Sequence, residues 1–98
     1  MIQVFLRGAT ICIEAFFKDW EGQPVSPSEG AKVTITDPEE TVKVNAQAMT
    51  PEATGQFAYY YTPPEDAEKK WWHILVVGQD GTGDGAKYTK KDASFKLR

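Results

Sequence analysis

Apolar and polar residues alternate with a period of two along most of this chain, and the clearest instance lies near its centre. In residues 55–62, Phe57, Tyr59 and Tyr61 share one parity against Gln56, Ala58, Tyr60 and Thr62, the pattern of a strand with one buried face. The longest apolar run follows at residues 71–77, with Trp72, Ile74 and Val76 on one parity and Trp71, His73, Leu75 and Val77 on the other. Both of its faces are predicted to be at least partly covered, as in a mid-sheet strand. Gly78 closes the run after a few β-branched and aromatic residues, and Pro63-Pro64 blocks a helix reaching it from upstream. The polar residues 63–70 between the two runs are long enough to carry the chain from one sheet to another.

The same reading extends outward from this centre. Ile2, Val4 and Leu6 predict a short first strand ended by Gly8, and Ile11, Ile13, Ala15 and Phe17 an inward-facing set with Cys12 and Phe16 on the outer parity. Asp19-Trp20-Glu21-Gly22-Gln23-Pro24 is turn chemistry. Val33 and Ile35 face inward in a compact strand that stops at Asp37-Pro38, where proline cannot continue the pairing. After a turn at Glu39-Glu40 the chain returns with Val42 and Val44 inward, extended by residues 46–49. Thr50 and Glu52 would cap a single helical turn. Beyond Gly78, the glycine-rich residues 79–85 form a hairpin loop, and a last strand places Tyr88 on one parity but Ala93, Phe95 and Leu97 on the other. That change of parity predicts a bulge near Lys90-Lys91. The total is about seven strands at the turn spacing of a sandwich, with a core of Ile11, Ile13, Phe17, Val33, Ile35, Phe57, Tyr59, Tyr61, Trp72, Ile74, Val76 and Phe95.

Composition narrows the picture. Ninety-eight residues make one domain, residues 1–98, that buries roughly two-thirds of its unfolded surface without disulfides or metal. The net charge of −3 gives no basic surface for nucleic acid or an anionic membrane. No stretch has the length of a membrane span, and the start of the chain lacks the features of a signal peptide, so a cytoplasmic or virion-associated protein is expected. Cys12 is the single cysteine, and its place in a strand predicts a buried, inert thiol.

Arg7-Gly8 followed by Ile11-x-Ile13-x-Ala15-x-Phe17, then Lys18-Asp19-Trp20-x-Gly22-x-Pro24-Val25, Val33-Thr34-Ile35-x-Asp37-Pro38, Gly55-x-Phe57-x-Tyr59-x-Tyr61 and Trp72-x-Ile74-x-Val76 cover almost the whole chain. In these elements it resembles the small immunoglobulin-like modules of bacteria, archaea and their viruses, which are similar to macroglobulin-type and bacterial surface-repeat sandwiches. The resemblance implies a single antiparallel immunoglobulin-like β-sandwich. It also implies a non-enzymatic structural or protein-interaction role, such as that of a virion or mobile-element component, acting through a protein partner or self-association. The chain departs from antibody domains in having no cysteine pair to bridge the sheets.

Candidate chemistry is sparse. Trp20, Tyr60 and Trp71 could stack on sugar rings, which makes a carbohydrate-binding module the alternative reading. Asp80 and Asp84 on a glycine-flexible loop could wrap calcium, but their spacing is wrong for an EF-hand and a solvated turn is the simpler reading. A Ser94 or Cys12 nucleophile would need the single histidine, His73, beside it and an acid behind it. No catalytic, cofactor or metal site is assigned. Lys87, Lys90, Lys91, Lys96 and Arg98 make the last strand basic, with only Asp92 opposing them; lysines on an edge strand deter stray pairing. Glu39, Glu40, Glu65, Asp66 and Glu68 fall in connections.

Overall fold

The computed structural model describes residues 4–67 and 69–98; Ile2 of the expected first strand and Glu68 of the acidic connection lie outside them. The strands are β1 (Val4–Phe5), β2 (Ile11–Phe16), β3 (Ala31–Thr36), β4 (Val42–Ala48), β5 (Thr50–Ala53), β6 (Gln56–Tyr61), β7 (Lys70–Asp80) and β8 (Lys87–Leu97). They form a larger sheet in the order β1-β8-β7-β3-β4 and a smaller one in the order β2-β6-β5. All pairs are antiparallel except the short first one, where Val4 and Phe5 run parallel to Lys96 and Leu97. The fold is the expected all-β, two-sheet sandwich. β6 and β7, the two strongest alternations, are the middle strands of the two sheets.

The core lies between the inward parities. Ile11, Ile13, Ala15, Phe17 and Phe57 come from the small-sheet side, and Val33, Ile35, Trp72, Ile74, Val76, Phe95 and Leu97 from the large one. Trp72 stacks on Phe95 at 5.8 Å between centroids, and Tyr61 leans on Trp72 at 6.3 Å. Phe17 meets Phe57 edge-on at 5.7 Å. Tyr59 and Tyr61 are half-buried and packed against this cluster rather than inside it. Met49 is buried where the chain leaves β4 for β5 and so changes sheets, its N–H donating to the Ala31 carbonyl at 2.9 Å.

Two turns share one construction. Asp19 accepts the backbone N–H groups of Glu21 and Gln23 at 2.9 and 3.0 Å through Oδ1, and Asp37 accepts those of Glu39 and Thr41 at 3.0 and 2.8 Å. A short acceptor side chain thereby satisfies amides that the turn removes from the ladder. Asp37 is the buried member of the pair, with Lys43 Nζ 3.8 Å away.

Several expectations need correction. β8 has no bulge: it pairs with β7 without a register shift from Lys87 opposite Asp80 to Leu97 opposite Lys70. Tyr88 faces water on the outer parity, while Lys91 takes an inward position and lays its ammonium over the Phe17 ring at 5.6 Å. Residues 50–53 are strand β5, paired with β6 despite Pro51, because an edge position tolerates a missing donor. Val42 points outward, since Ile35 pairs with Val44 but Thr36 with Val42; the extra residue in β4 turns Val42 onto Thr36's face. Cys12 is exposed, because it lies on the outer face of β2 with Glu14 and Phe16. Trp71, His73 and Leu75 on the outer face of β7 are likewise exposed, and among that set only Val77 is half-buried.

Candidate functional site

The three aromatic residues considered for a sugar platform do not come together. Trp20 stands at the tip of the Asp19 turn beyond the end of β2, 93% exposed. Tyr60 lies on the outer face of the small sheet, opposite Cys12 at the other end of β2, whereas Trp71 lies on the outer face of the large sheet, opposite Lys96. Opposite outer faces of a sandwich cannot grip one ligand. The Tyr60 hydroxyl is held above its ordinary pKa by a hydrogen bond with the Cys12 side chain, and then by the charges of Cys12, Glu52 and Glu14.

His73 and Ser94 are direct cross-strand neighbours, with Ser94 Oγ 3.3 Å from His73 Nδ1. Asp92 and Thr36 line the same shallow outer-face pocket of about 270 Å³. Asp92 stands opposite Leu75, diagonal to the ring, and among the described residues no carboxylate bonds the imidazole. The pair sits on an open sheet face, without the second partner that orients a base. The Asp80 carboxylate is engaged elsewhere, accepting Ser28 N–H at 2.8 Å while Gly81 N–H donates to Ser28 Oγ at 2.8 Å. Among the described residues no cluster of three or more His, Cys, Asp or Glu is placed to hold a metal ion, and no helix is long and apolar enough to cross a membrane.

What the arrangement does present is a set of sheet edges, and they are not equivalent. β4 is interrupted by two register shifts and by Ala46 at φ +48°. β5 carries Pro51 and a further shift. β8 carries Lys87, Lys90 and Lys91 along the part that β1 leaves uncovered. Each of these is a recognised guard against added strands. β2, reading Ile-Cys-Ile-Glu-Ala-Phe, has no lysine, no proline and no register shift, and among the described residues it pairs only with β6.

The backbone of β2 is correspondingly available. Phe17 N–H donates to the Gly55 carbonyl at 2.7 Å, so its polar groups point toward the β6 side. By the alternation of an antiparallel ladder, those of Cys12, Glu14 and Phe16 point to the open edge. Between this edge and β8 the two sheets part in a cleft of about 580 Å³, reached by Ile13, Ala15, Val76, Phe95 and Lys91. Nothing in the local residue pattern announced it, because the cleft depends on which strands pair: among the described residues β1 pairs with β8, and β2 with β6 alone.

No family model matches the chain, and no curated protein does. A solved structure matches its fold. The crystal structure of a DUF4785 family protein from Legionella pneumophila superimposes on 98% of this chain with a TM-score of 0.71 and 11% sequence identity. The chain spans 26% of the length of the Legionella protein. At that identity the likeness is one of fold.

Proposed function

We propose that the chain is an immunoglobulin-like structural or protein-interaction module that meets its partners at a sheet edge and performs no catalysis. The immunoglobulin-like part is supported by strand order. The small sheet corresponds to strands B, E and D of such domains, and β3, β7 and β8 to C, F and G. The observation that carries the interaction reading is the contrast among the edges: three carry guards and β2 does not. An unguarded edge of six residues is a standing template for another strand.

The test combines the mass of the purified chain in solution, by size-exclusion chromatography with light scattering over a concentration series, with tryptophan fluorescence against soluble polysaccharides. The reading expects a defined oligomer, or a monomer whose fluorescence ignores every sugar. A monomer with saturable quenching that Trp20→Ala or Trp71→Ala removes would replace it with the carbohydrate-binding reading.

A further inference from the structure

The unguarded edge and the cleft behind it have a shape and a charge pattern that restrict what can occupy them. A strand added to β2 would direct alternate side chains into the cleft and the others outward beside Cys12, Glu14 and Phe16. The inward side chains would lie against Ile13, Ala15, Val76 and the exposed Ala93, which border the cleft, so they must be apolar. At 580 Å³ the cleft is within the roughly 300–1,000 Å³ of ordinary binding pockets, enough for a few aliphatic side chains. The six residues of β2 fix the length of the engaged segment at about 20 Å.

Charge restricts the occupant further. Lys91 shares the inward parity of Ala93 and Phe95 and lines the cleft, with its ammonium over Phe17. Glu14 and Asp92 also border the opening, but both belong to outward parities, Glu14 beside Ala58 on the small sheet and Asp92 beside Leu75 on the large one. Lysine is thus the charged side chain that faces the buried side of an incoming strand, and Lys87 stands further along β8 on the same inward parity. A second copy of this chain fits poorly. Two-fold pairing of β2 with β2 would bring two β8 edges together, lysine against lysine, and one of its two central registers would set Glu14 against Glu14.

We infer that the β2 edge and its cleft receive an extended segment of a partner protein, inserted as an added strand, with apolar side chains at alternate inward positions and a carboxylate at the position facing Lys91. This deepens the interaction-module reading and rests on it. The backbone of the segment would bond the amide and carbonyl groups of Cys12, Glu14 and Phe16, its apolar side chains would close the cleft, and its carboxylate would pair with Lys91 in a partly desolvated setting where such pairs are strong.

The experiment selects a phage-displayed library of random nonapeptides on the folded chain and reads the winners against two variants. Glu14→Pro removes an N–H that points to the open edge, so it leaves the β6 ladder intact while blocking an added strand. Lys91→Glu reverses the charge in the cleft. The expected result is enrichment of sequences with period-two apolar residues and one acidic position. The winners should slow amide hydrogen exchange at Cys12, Glu14 and Phe16, bind Glu14→Pro at least about tenfold more weakly, and lose about tenfold in affinity with Lys91→Glu. Winners that bind Glu14→Pro and the parent equally, or that protect amides elsewhere, overturn the cleft assignment and leave the module reading standing. Absence of any winner, together with a sugar response, overturns both. A chain that dimerises through β2, with the dimer lost in Glu14→Pro, makes the second copy the occupant and overturns the inference.

Discussion

Gly55 is where three parts of the chain meet, and its replacement by alanine measures how tightly they are held. Its φ is +74°, and a Cβ built there would stand 2.5 Å from the Phe17 carbonyl oxygen, 2.9 Å from Val25 N and 3.2 Å from Val25 O. These atoms belong to a closed set of bonds: Phe17 N–H to the Gly55 carbonyl at 2.7 Å, Val25 N–H to the Phe17 carbonyl at 3.0 Å, and Gly55 N–H to Ser26 Oγ at 2.8 Å. Gly22 offers the control, because its φ is +85° but nothing lies within 4 Å of its would-be Cβ. Gly22→Ala therefore carries only the left-handed penalty of about 1–2 kcal/mol. Gly55→Ala adds about 1–3 kcal/mol for displaced packing and about 0.5–1.5 kcal/mol for a weakened hydrogen bond. The three contributions add to about 2.5–6.5 kcal/mol for Gly55→Ala, a large part of a total stability of roughly 5–15. Urea or guanidinium titration of the two variants beside the parent reads both values directly. Equal losses within about 0.5 kcal/mol, the scatter expected of independent sites, would refute the argument that backbone contact at Gly55 constrains the turn.

Trp72 is 1% exposed and stacked on Phe95, so Trp72→Ala is expected to cost about 3–5 kcal/mol by the same titration; a variant as stable as the parent would remove the tryptophan from the core. Burial, followed by the charges of Tyr59 and Asp37, raises the pKa of Tyr61 above 10.0. A raised value means the folded state prefers the neutral phenol, so the associated stability is complete below the unfolded pKa near 10 and is lost as pH rises through the folded one. Tyr61→Phe should flatten that alkaline decline in thermal unfolding measured across the window, and an unchanged decline would assign it to other groups.

How far the residues alone revealed the fold depends on whether the information was local. Alternation in β2, β6 and β7 is local, and it placed Ile11, Ile13, Phe57, Trp72, Ile74 and Val76 on the buried side where the structure has them. The Asp19 and Asp37 turns were equally visible, since a short acceptor side chain beside glycine or proline acts within a few residues. Pairing is not local. That Thr36 takes Val42 as its partner, and so turns Val42 outward, depends on an extra residue in a neighbouring strand. The parity change in β8 looked like a bulge because Tyr88 was assumed to need burial; an aromatic residue near the end of a long hairpin can remain in water. Cys12 is expected inside because cysteine usually is, yet its parity in β2 puts it on the outer face of the small sheet, where it is exposed. The candidate site was invisible because pairing is not local: an edge is defined by the strand that is missing beside it.

The unbroken pairing of β7 with β8 also bears on the order of events as the chain folds. Its eleven register pairs are closed by a short connection at residues 81–86, and hairpins of this kind form in about 1–10 μs. The clasp that joins Gln79, Asp80 and Gly81 to residues 28–30, and the return of β1 to β8, must first gather long stretches of chain, which is slow for entropic reasons. The hairpin is thus old in folding time and the first strand young. Within the small sheet β5 and β6 form an equally local hairpin, so β2 is the strand that joins late, when Ile11–Phe16 meets the distant Gln56–Tyr61.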